Sequence, residues 1–381
     1  MQSLPVYLDN NATTRVDPEV LEAMIPYFGQ DYGNASSAGH TMGKRANAAI
    51  ELSREKTAGF LRTGVTQIIF TSGTTEANNI LLFGLTHNPN KRHIITSRLE
   101  HSSVLNPLRS LEKSGFTVSY LENDNNGFVD LDQLADSISE ETLLISIMYA
   151  NNEIGTIQDI QRAGEIARSR NVLFHSDMAQ SVGKIDFNFE DFPVDIVTFG
   201  AHKFYGPKGV GVLAFCPQVR KQILTPVIFG GGQESGLRPG TLNIPLIVGL
   251  SKALEIIIRD RISYIQGINQ LTTKLKSTFI KFGDKVKFNG DAHRRIPGNL
   301  NISIKNLDVT KLAAKAKDIC FSTGSACKSG SGEPSHVLRA IGLSDTEARS
   351  TLRFGIGKFN TDDEIDYACS RFSEILDELL Y

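Results

Sequence analysis

Between about residues 17 and 250, short β-branched runs alternate with stretches in which apolar residues recur every three or four positions. The runs at 68–70, 93–96, 143–148, 172–175, 196–199 and 211–215 read as strands, and 18–28, 42–61 and 76–83 as helices. Strands separated by helix-length segments pair in parallel through right-handed crossovers, so this pattern predicts an α/β fold with a mostly parallel sheet covered on both faces. After a turn-rich stretch at 230–245, a long amphipathic pattern from about Leu246 to Phe282 reads as a helix linking two units. The remainder predicts a smaller α+β unit with strands near 286–288, 299–304 and 352–355 and a closing helix from Asp362. The expected division is a large domain over 17–250 and a small domain built from 1–16 and 251–381.

Composition narrows the function classes. The 381 residues exceed what one core of ~250–300 residues organises, which agrees with two domains. Forty basic and 42 acidic side chains leave a net charge of -2, so no global positive field exists to hold nucleic acid directly. The opening MQSLPVYLDNNATT has no basic or apolar leader, and no apolar run approaches the ~18 residues of a membrane span, which predicts a cytoplasmic protein without membrane contact. Four cysteines without CxxC spacing exclude a disulfide framework and give no metal site. Cys216, Cys320 and Cys369 have apolar neighbours and are expected to be buried core thiols.

The chemistry starts from Asp177, directly after the run at 172–175, and from His202-Lys203, directly after the run at 196–199. An acid and a lysine leaving two successive strands converge at the carboxyl edge, where open α/β sheets bind ligands. That pair suits pyridoxal phosphate: the lysine supplies a Schiff base, and the carboxylate keeps the pyridine nitrogen protonated so that the ring accepts electrons. The segment Phe70-Thr71-Ser72-Gly73-Thr74-Thr75-Glu76 is a strand, a small-residue turn and a helix start, which forms a phosphate cup, although ordinary helix capping has the same composition. His101, just beyond the run at 93–96, is positioned to stack on a planar ring and to exchange protons near neutral pH. Cys327 lies in a small, polar stretch at 322–334 that reads as a mobile loop, with Lys328 beside the thiol.

Taken in order, YLDNNATT at 7–14, TSGTTEANN at 71–79, EH at 100–101, NNEIGTIQ at 151–158, HSDMAQSVGK at 175–184, AHKFYGPKG at 201–209, GGGQESGLRPGTLNIP at 230–245, STGSAC at 322–327 and LRFGIGKFNT at 352–361 span nearly the whole chain. They resemble the cysteine desulfurases of the NifS/IscS class, fold-type I pyridoxal-phosphate enzymes. The resemblance implies that Lys203 carries the cofactor, Asp177 pairs with the pyridine nitrogen, Gln180 bonds the phenolic oxygen and His101 stacks on the ring. Gly73, Thr74, Thr75 and His202 would hold the phosphate, with Thr241 contributed by the second subunit of a homodimer. Asn11, Asn152 and Arg353 would receive the substrate, L-cysteine. Cys327 would attack the substrate sulfur, release alanine and keep a persulfide for an acceptor protein; GSAC followed by a long loop resembles the mobile-loop group.

Departures from the family pattern bear on the details. Gly200 stands where Ser or Thr is usual, two places before the His-Lys pair, so a phosphate hydroxyl is missing and Gly200→Ser is expected to tighten cofactor binding. Asn34-Ala35 and Pro239 replace a common Asn-Pro and a common Ser, and the chain ends at Tyr381, short of the tail through which housekeeping members dock the iron-sulfur scaffold. These features resemble desulfurases of DNA-phosphorothioation systems, with iron-sulfur assembly and tRNA thiolation as the other acceptor pathways. Another lyase or aminotransferase reaction, selenocysteine lysis included, uses the same Lys203, Asp177 and His101. A non-catalytic partner protein would need neither Lys203 nor Cys327.

Overall fold

The computed structural model describes residues 5–87, 90–219, 221–324 and 333–380. Its strands are β1 (Val6–Tyr7), β2 (Ile68–Thr71), β3 (His93–Ser97), β4 (Thr117–Leu121), β5 (Thr142–Ser146), β6 (Leu173–Asp177), β7 (Ile196–Gly200), β8 (Gly211–Phe215), β9 (Val286–Phe288), β10 (Asn299–Ile304), β11 (Ile319–Cys320), β12 (Ser322–Thr323) and β13 (Thr351–Gly355). A seven-stranded sheet has the order β2-β8-β7-β6-β5-β3-β4. Every residue of β2, β3, β5, β7 and β8 is buried, because helices cover both faces; these strands therefore read as apolar runs rather than alternating ones.

The sheet differs from the expected pattern in two places. The segment 201–210 holds only a short 3-10 turn, too little chain for a helical crossover, so β8 returns antiparallel to β7 and then pairs antiparallel with β2. The strand β4 was not apparent from the sequence: it is the half-exposed edge, where a Thr-Val-Ser-Tyr-Leu run has little apolar signal. The expected helix at 18–28 is two, Pro18–Met24 and Pro26–Gly29, because Pro26 has no N–H to continue the ladder.

One helix, Ile244–Ile280, serves two cores. Its Ile247, Leu250, Leu254 and Ile257 enter the core of the large sheet, whereas Ile268, Leu271, Leu275 and Phe279 enter a second core with β10, β13 and the closing helix Asp362–Leu380. Val6 and Leu8 from the N-terminus join this second core, and β1 pairs in parallel with β11. Cys216 is buried as expected, but Cys320 and Cys369 are half-exposed, one on the short β1-β11 ribbon and the other on the outer helix. Among the described residues, no helix is long and apolar enough to cross a membrane, and no cluster of His, Cys, Asp and Glu is placed to hold a metal ion.

Glu100 fastens the loops that leave the sheet. Its Oε1 accepts from Ser97 Oγ and from the Met148 N–H, each at 2.8 Å, and its carbonyl accepts from His336 Nε2 at 2.9 Å. It is fully buried, and its Oε2 has no partner among the described residues. Burial raises its pKa from 4.5 to about 8 against the pull of the two hydrogen bonds, and Asp177 adds to the rise. The folded chain therefore keeps a proton that the unfolded chain loses above pH 4.5, so this group makes stability fall by about 1.4 kcal/mol per pH unit until the folded pKa is passed. Glu100→Gln keeps the acceptor and removes the titration. Denaturant titrations from about pH 5 to about pH 9 should show the variant gaining on the parent up to the folded pKa and then running parallel to it. A constant difference across that range would mean that Glu100 is ionised in the fold.

Candidate active site

The carboxyl ends of β2, β3, β5, β6 and β7 open on one edge of the sheet and bring Gly73, His101, Asn152, Asp177 and Lys203 to it. Lys203 lies in the β7-β8 connection, and its Nζ donates to the carbonyls of Asn11 and Ala12, both at 2.8 Å. The same N-terminal segment grips the connection itself. The Thr14 N–H and Oγ1 donate to the His202 carbonyl at 2.9 and 3.0 Å, and the Tyr205 N–H donates to Thr14 Oγ1 at 2.8 Å. That last bond holds Tyr205 at φ +68°, a conformation unfavourable for a side chain of this size.

Asp177, the buried last residue of β6, accepts from the Ala179 N–H and from Asn78 Nδ2, both at 2.9 Å. Asn78 Nδ2 also donates to Ser103 Oγ at 3.0 Å, and Ser103 Oγ lies 2.8 Å from His101 Nδ1. Behind Asn78, Thr198 Oγ1 donates to its Oδ1 at 2.6 Å and lies 3.0 Å from His175 Nε2. Burial lowers the His175 pKa to about 3, so the ring is neutral; with the Thr198 proton already committed, Nε2–H donates to Thr198 and Nδ1 accepts from Ser146 Oγ at 2.9 Å. The Asp177 carboxylate thus ends a directed chain of hydrogen bonds.

His101 opens to solvent at the edge of the site and shares one cleft with Thr75. Its pKa is lowered, mainly by desolvation, with the attraction of Asp177 opposing and the repulsion of Lys203 and His336 reinforcing. Its Nδ1 accepts from the Ser103 N–H, which puts the proton of the neutral ring on Nε2. Gln180 is buried: its Nε2 donates to the Asn11 carbonyl at 2.8 Å, and its Oε1 accepts from Lys184 Nζ at 2.9 Å. Desolvation, then repulsion by Lys203 and Arg353, lowers the Lys184 pKa to about 7.

Arg353, on β13 opposite Ser322 of β12, is held through Nη2 by Asp9 at 2.9 Å and Ser322 at 2.8 Å, and its Nη1 reaches the Asn152 carbonyl at 3.3 Å. Its Nε and the Asn11 Nδ2 are fully enclosed donors with no partner among the described residues. Enclosed donors of this kind fit an acceptor brought in by a ligand.

At the other end of the site, the helix Thr74–Gly84 starts after Gly73 at φ +152°, with no side chain capping it. His202 stands nearby with its pKa lowered to about 4, by burial first and then by Lys203 and Lys208, and its Nδ1 lies 3.1 Å from Thr13 Oγ1. A Cβ added to Gly211 would lie 2.6 Å from Gly73 Cα, so β8 must carry glycine for the turn to settle on it. The expectation for Gly200 needs correction: a Cβ there would lie 2.9 Å from Thr74 Oγ1, so a serine has no free space beside Thr74.

Thr75 and Thr241 are exposed. Cys327 lies outside the described residues, whose nearest members are fixed beside Arg353: Gly324 N–H donates to the Thr351 carbonyl at 2.8 Å and Ser335 N–H to the Gly324 carbonyl at 3.0 Å. The sequence reading assigned no role to Asp9, Asn78, Ser103, Thr198 or Lys184. Asn78 carried a usable signal, a polar residue on a helix face otherwise built from Ala77, Ile80, Leu81 and Leu82.

A lysine amine at the strand end, a buried carboxylate, an uncapped helix start walled by glycines and two enclosed donors without acceptors among the described residues fit pyridoxal phosphate and an amino-acid carboxylate. Comparison with known proteins agrees. The family model described as "Aminotransferase class-V" matches residues 6–368. "Cysteine desulfurase IscS" of Rickettsia prowazekii (strain Madrid E) is 44% identical over 379 residues, 99% of this chain and 92% of that protein. The solved structure titled "NIFS-LIKE PROTEIN" superposes with a TM-score of 0.91 at 39% identity, covering 99% of this chain and 100% of that one. "Crystal structure of DndA from streptomyces lividans" gives a TM-score of 0.77 at 36% identity, covering 90% and 97%. The chain belongs to the class-V aminotransferase family and, within it, to the pyridoxal-phosphate-dependent cysteine desulfurases of the NifS/IscS class.

Proposed function

We propose that this chain takes sulfur from L-cysteine onto Cys327 as a persulfide, releases L-alanine, and passes the sulfur to an acceptor protein. The observation that carries this reading is that Lys203 and Asp177 share one edge of the large sheet and Arg353 of β13 reaches that edge at the Asn152 carbonyl, with the segment bearing Cys327 flanked by residues fixed beside Arg353. Residues 17–250 form the cofactor-binding domain in this reading, and 1–16 with 251–381 the domain that carries Cys327.

Bound pyridoxal phosphate supplies an electron sink that weakens bonds at the substrate α- and β-carbons. Lys203 would hold it covalently, Asp177 would keep its ring nitrogen protonated, Gln180 would face its phenolic oxygen, and Gly73, Thr74, Thr75 and His202 would hold its phosphate. The hydrogen bonds from Asn78 and the Ala179 N–H stabilise the charged form of Asp177 and fix its plane. Arg353 Nε and Asn11 Nδ2, without a partner among the described residues, would be donors for the substrate, beside Asn152, and a bidentate guanidinium contact would set the carboxylate in register. His101 presents its Nε2 proton at the solvent side of the site. In the transfer step the Cys327 thiolate forms a bond to the substrate sulfur. The carbon-sulfur pair stays with carbon, which takes a proton and leaves as alanine, so no outside oxidant or reductant is needed.

A homodimer, with Thr241 serving the second subunit's site, fits the exposure of Thr241 on a segment tied back by Arg238 to Glu76 at 3.2 Å. Asn34-Ala35 and Pro239, through their resemblance to desulfurases of DNA-phosphorothioation systems, favour an acceptor of that kind over iron-sulfur assembly or tRNA thiolation, and a cytoplasmic location accords with each. A pull-down that identifies the protein draining the persulfide decides among them.

Two variants separate the halves of the reaction. Lys203→Ala should lose both the visible absorbance of lysine-bound cofactor and all turnover; cofactor that borohydride still fixes to the chain would refute that attachment. Cys327→Ser replaces the thiol with a hydroxyl that is hardly ionised near neutral pH. L-cysteine should still perturb the cofactor spectrum of this variant, while catalytic alanine and protein-bound persulfide both vanish. Wild-type turnover, or a persulfide mapped by mass spectrometry to Cys216, Cys320 or Cys369, would remove Cys327 from this role and favour an aminotransfer or lyase reaction.

A further inference from the structure

The turn that follows β6 folds a lysine back against the site from behind. Gln180 and Lys184 lie four residues apart in this turn, which the Lys184 N–H closes on the Ser181 carbonyl at 2.9 Å. Gly183 holds it at φ +80°, where a Cβ would lie 3.1 Å from Ile257 and Phe204 side chains, and Tyr264 Oη of the helix Ile244–Ile280 donates to the Gly183 carbonyl at 2.5 Å. The turn is thus pinned from outside, and Lys184 Nζ donates to Gln180 Oε1 at 2.9 Å. An ammonium only donates, so the amide oxygen faces Lys184 and the amide nitrogen faces the Asn11 carbonyl at 2.8 Å. That carbonyl also accepts from Lys203 Nζ at 2.8 Å, which puts the Gln180 N–H groups beside the amine that would carry the cofactor. Among the described residues Gln180 Nε2 has one acceptor, which leaves its second N–H for a ligand.

Lys184 has no counterion among the described residues. Its amine has Gln180 Oε1 as acceptor, and the charged groups acting on it are Lys203 from the β7-β8 connection and Arg353 of β13, both cations. Asp186, two residues on, pairs with Arg261 instead. Desolvation, ahead of those two cations, lowers the Lys184 pKa to about 7, so the half-buried side chain has its enclosed end at the amine. A cation set among cations against a neutral amide stabilises nothing in the protein itself; an anion on the far side of the amide compensates it. We infer that Lys184 is a positioning residue which, through Gln180, sets an N–H and a positive charge behind the place of the phenolic oxygen, and so selects a cofactor ring with an ionisable hydroxyl there. This rests on the cofactor reading above and adds to it the residue that recognises the hydroxyl rather than the phosphate or the ring nitrogen.

The test uses protein resolved from its cofactor and compares pyridoxal phosphate with 3-deoxypyridoxal phosphate, which lacks the phenolic oxygen, with dissociation constants read by absorbance. Lys184→Met, which keeps the length and removes the charge, should weaken pyridoxal-phosphate binding roughly tenfold and leave binding of the deoxy compound unchanged. The loss should be greatest at or below about pH 7 and shrink as the pH rises towards about 9, because the amine of the parent must then take up a proton to act. In a Gln180→Leu background, Lys184→Met should cost nothing further. Unchanged pyridoxal-phosphate affinity, a loss equal for the two ligands, a loss independent of pH, or a loss that persists in the Gln180→Leu background would each overturn the inference. A parent protein that binds neither ligand would instead overturn the cofactor reading.

Discussion

The site depends on the grip of the N-terminal segment on two elements far from it in sequence. Asp9 holds Arg353 of β13, while the carbonyls of Asn11 and Ala12 hold the Lys203 amine and Thr14 holds the backbone on either side of it. Six residues, with a turn at 10–12, thus set the spacing between the Lys203 amine and the Arg353 guanidinium. The buried Lys358–Asp17 ion pair and the bond from the Lys358 N–H to Tyr205 Oη at 2.8 Å continue the same seam. Breaking a buried pair leaves a charge without compensation, which makes such a seam intolerant of single changes.

Around this seam the charges are arranged by burial as much as by partner. His175 is kept neutral beneath Asn78, and Glu100 keeps its proton, so negative charge at this part of the edge is concentrated on Asp177. On the opposite side Lys184, with its pKa drawn down to about 7 by burial, then Lys203 and Arg353, fixes the oxygen of Gln180, whose amide nitrogen donates to the Asn11 carbonyl. Preorganised dipoles of this kind need no reorientation when charge develops.

Much of this was legible in order along the chain. Asp177 and Lys203 follow runs that could only be buried strands, and strand ends in a parallel sheet share an edge, so their convergence followed from periodicity alone. The blocks from 7–14 to 352–361 carried the family, and with it the expected places of Gln180, His101, Asn152 and Arg353. The edge strand β4 and the antiparallel return of β8 were not legible, because a half-exposed run carries little apolar signal and a short connection is visible only once its length is weighed against a crossover.

What the sequence determined by itself was the alternation of elements and the family, both of which depend on local pattern and residue type. Tertiary structure alone decided which groups touch. Asn78 and Ser103 come from two helices and Thr198 and His175 from two strands, and only packing makes them a single hydrogen-bonded chain behind Asp177. The same holds for Gly200: in the sequence it reads as a lost hydroxyl, whereas in the fold it is the space occupied by Thr74, because the sheet brings residues 126 positions apart within van der Waals reach.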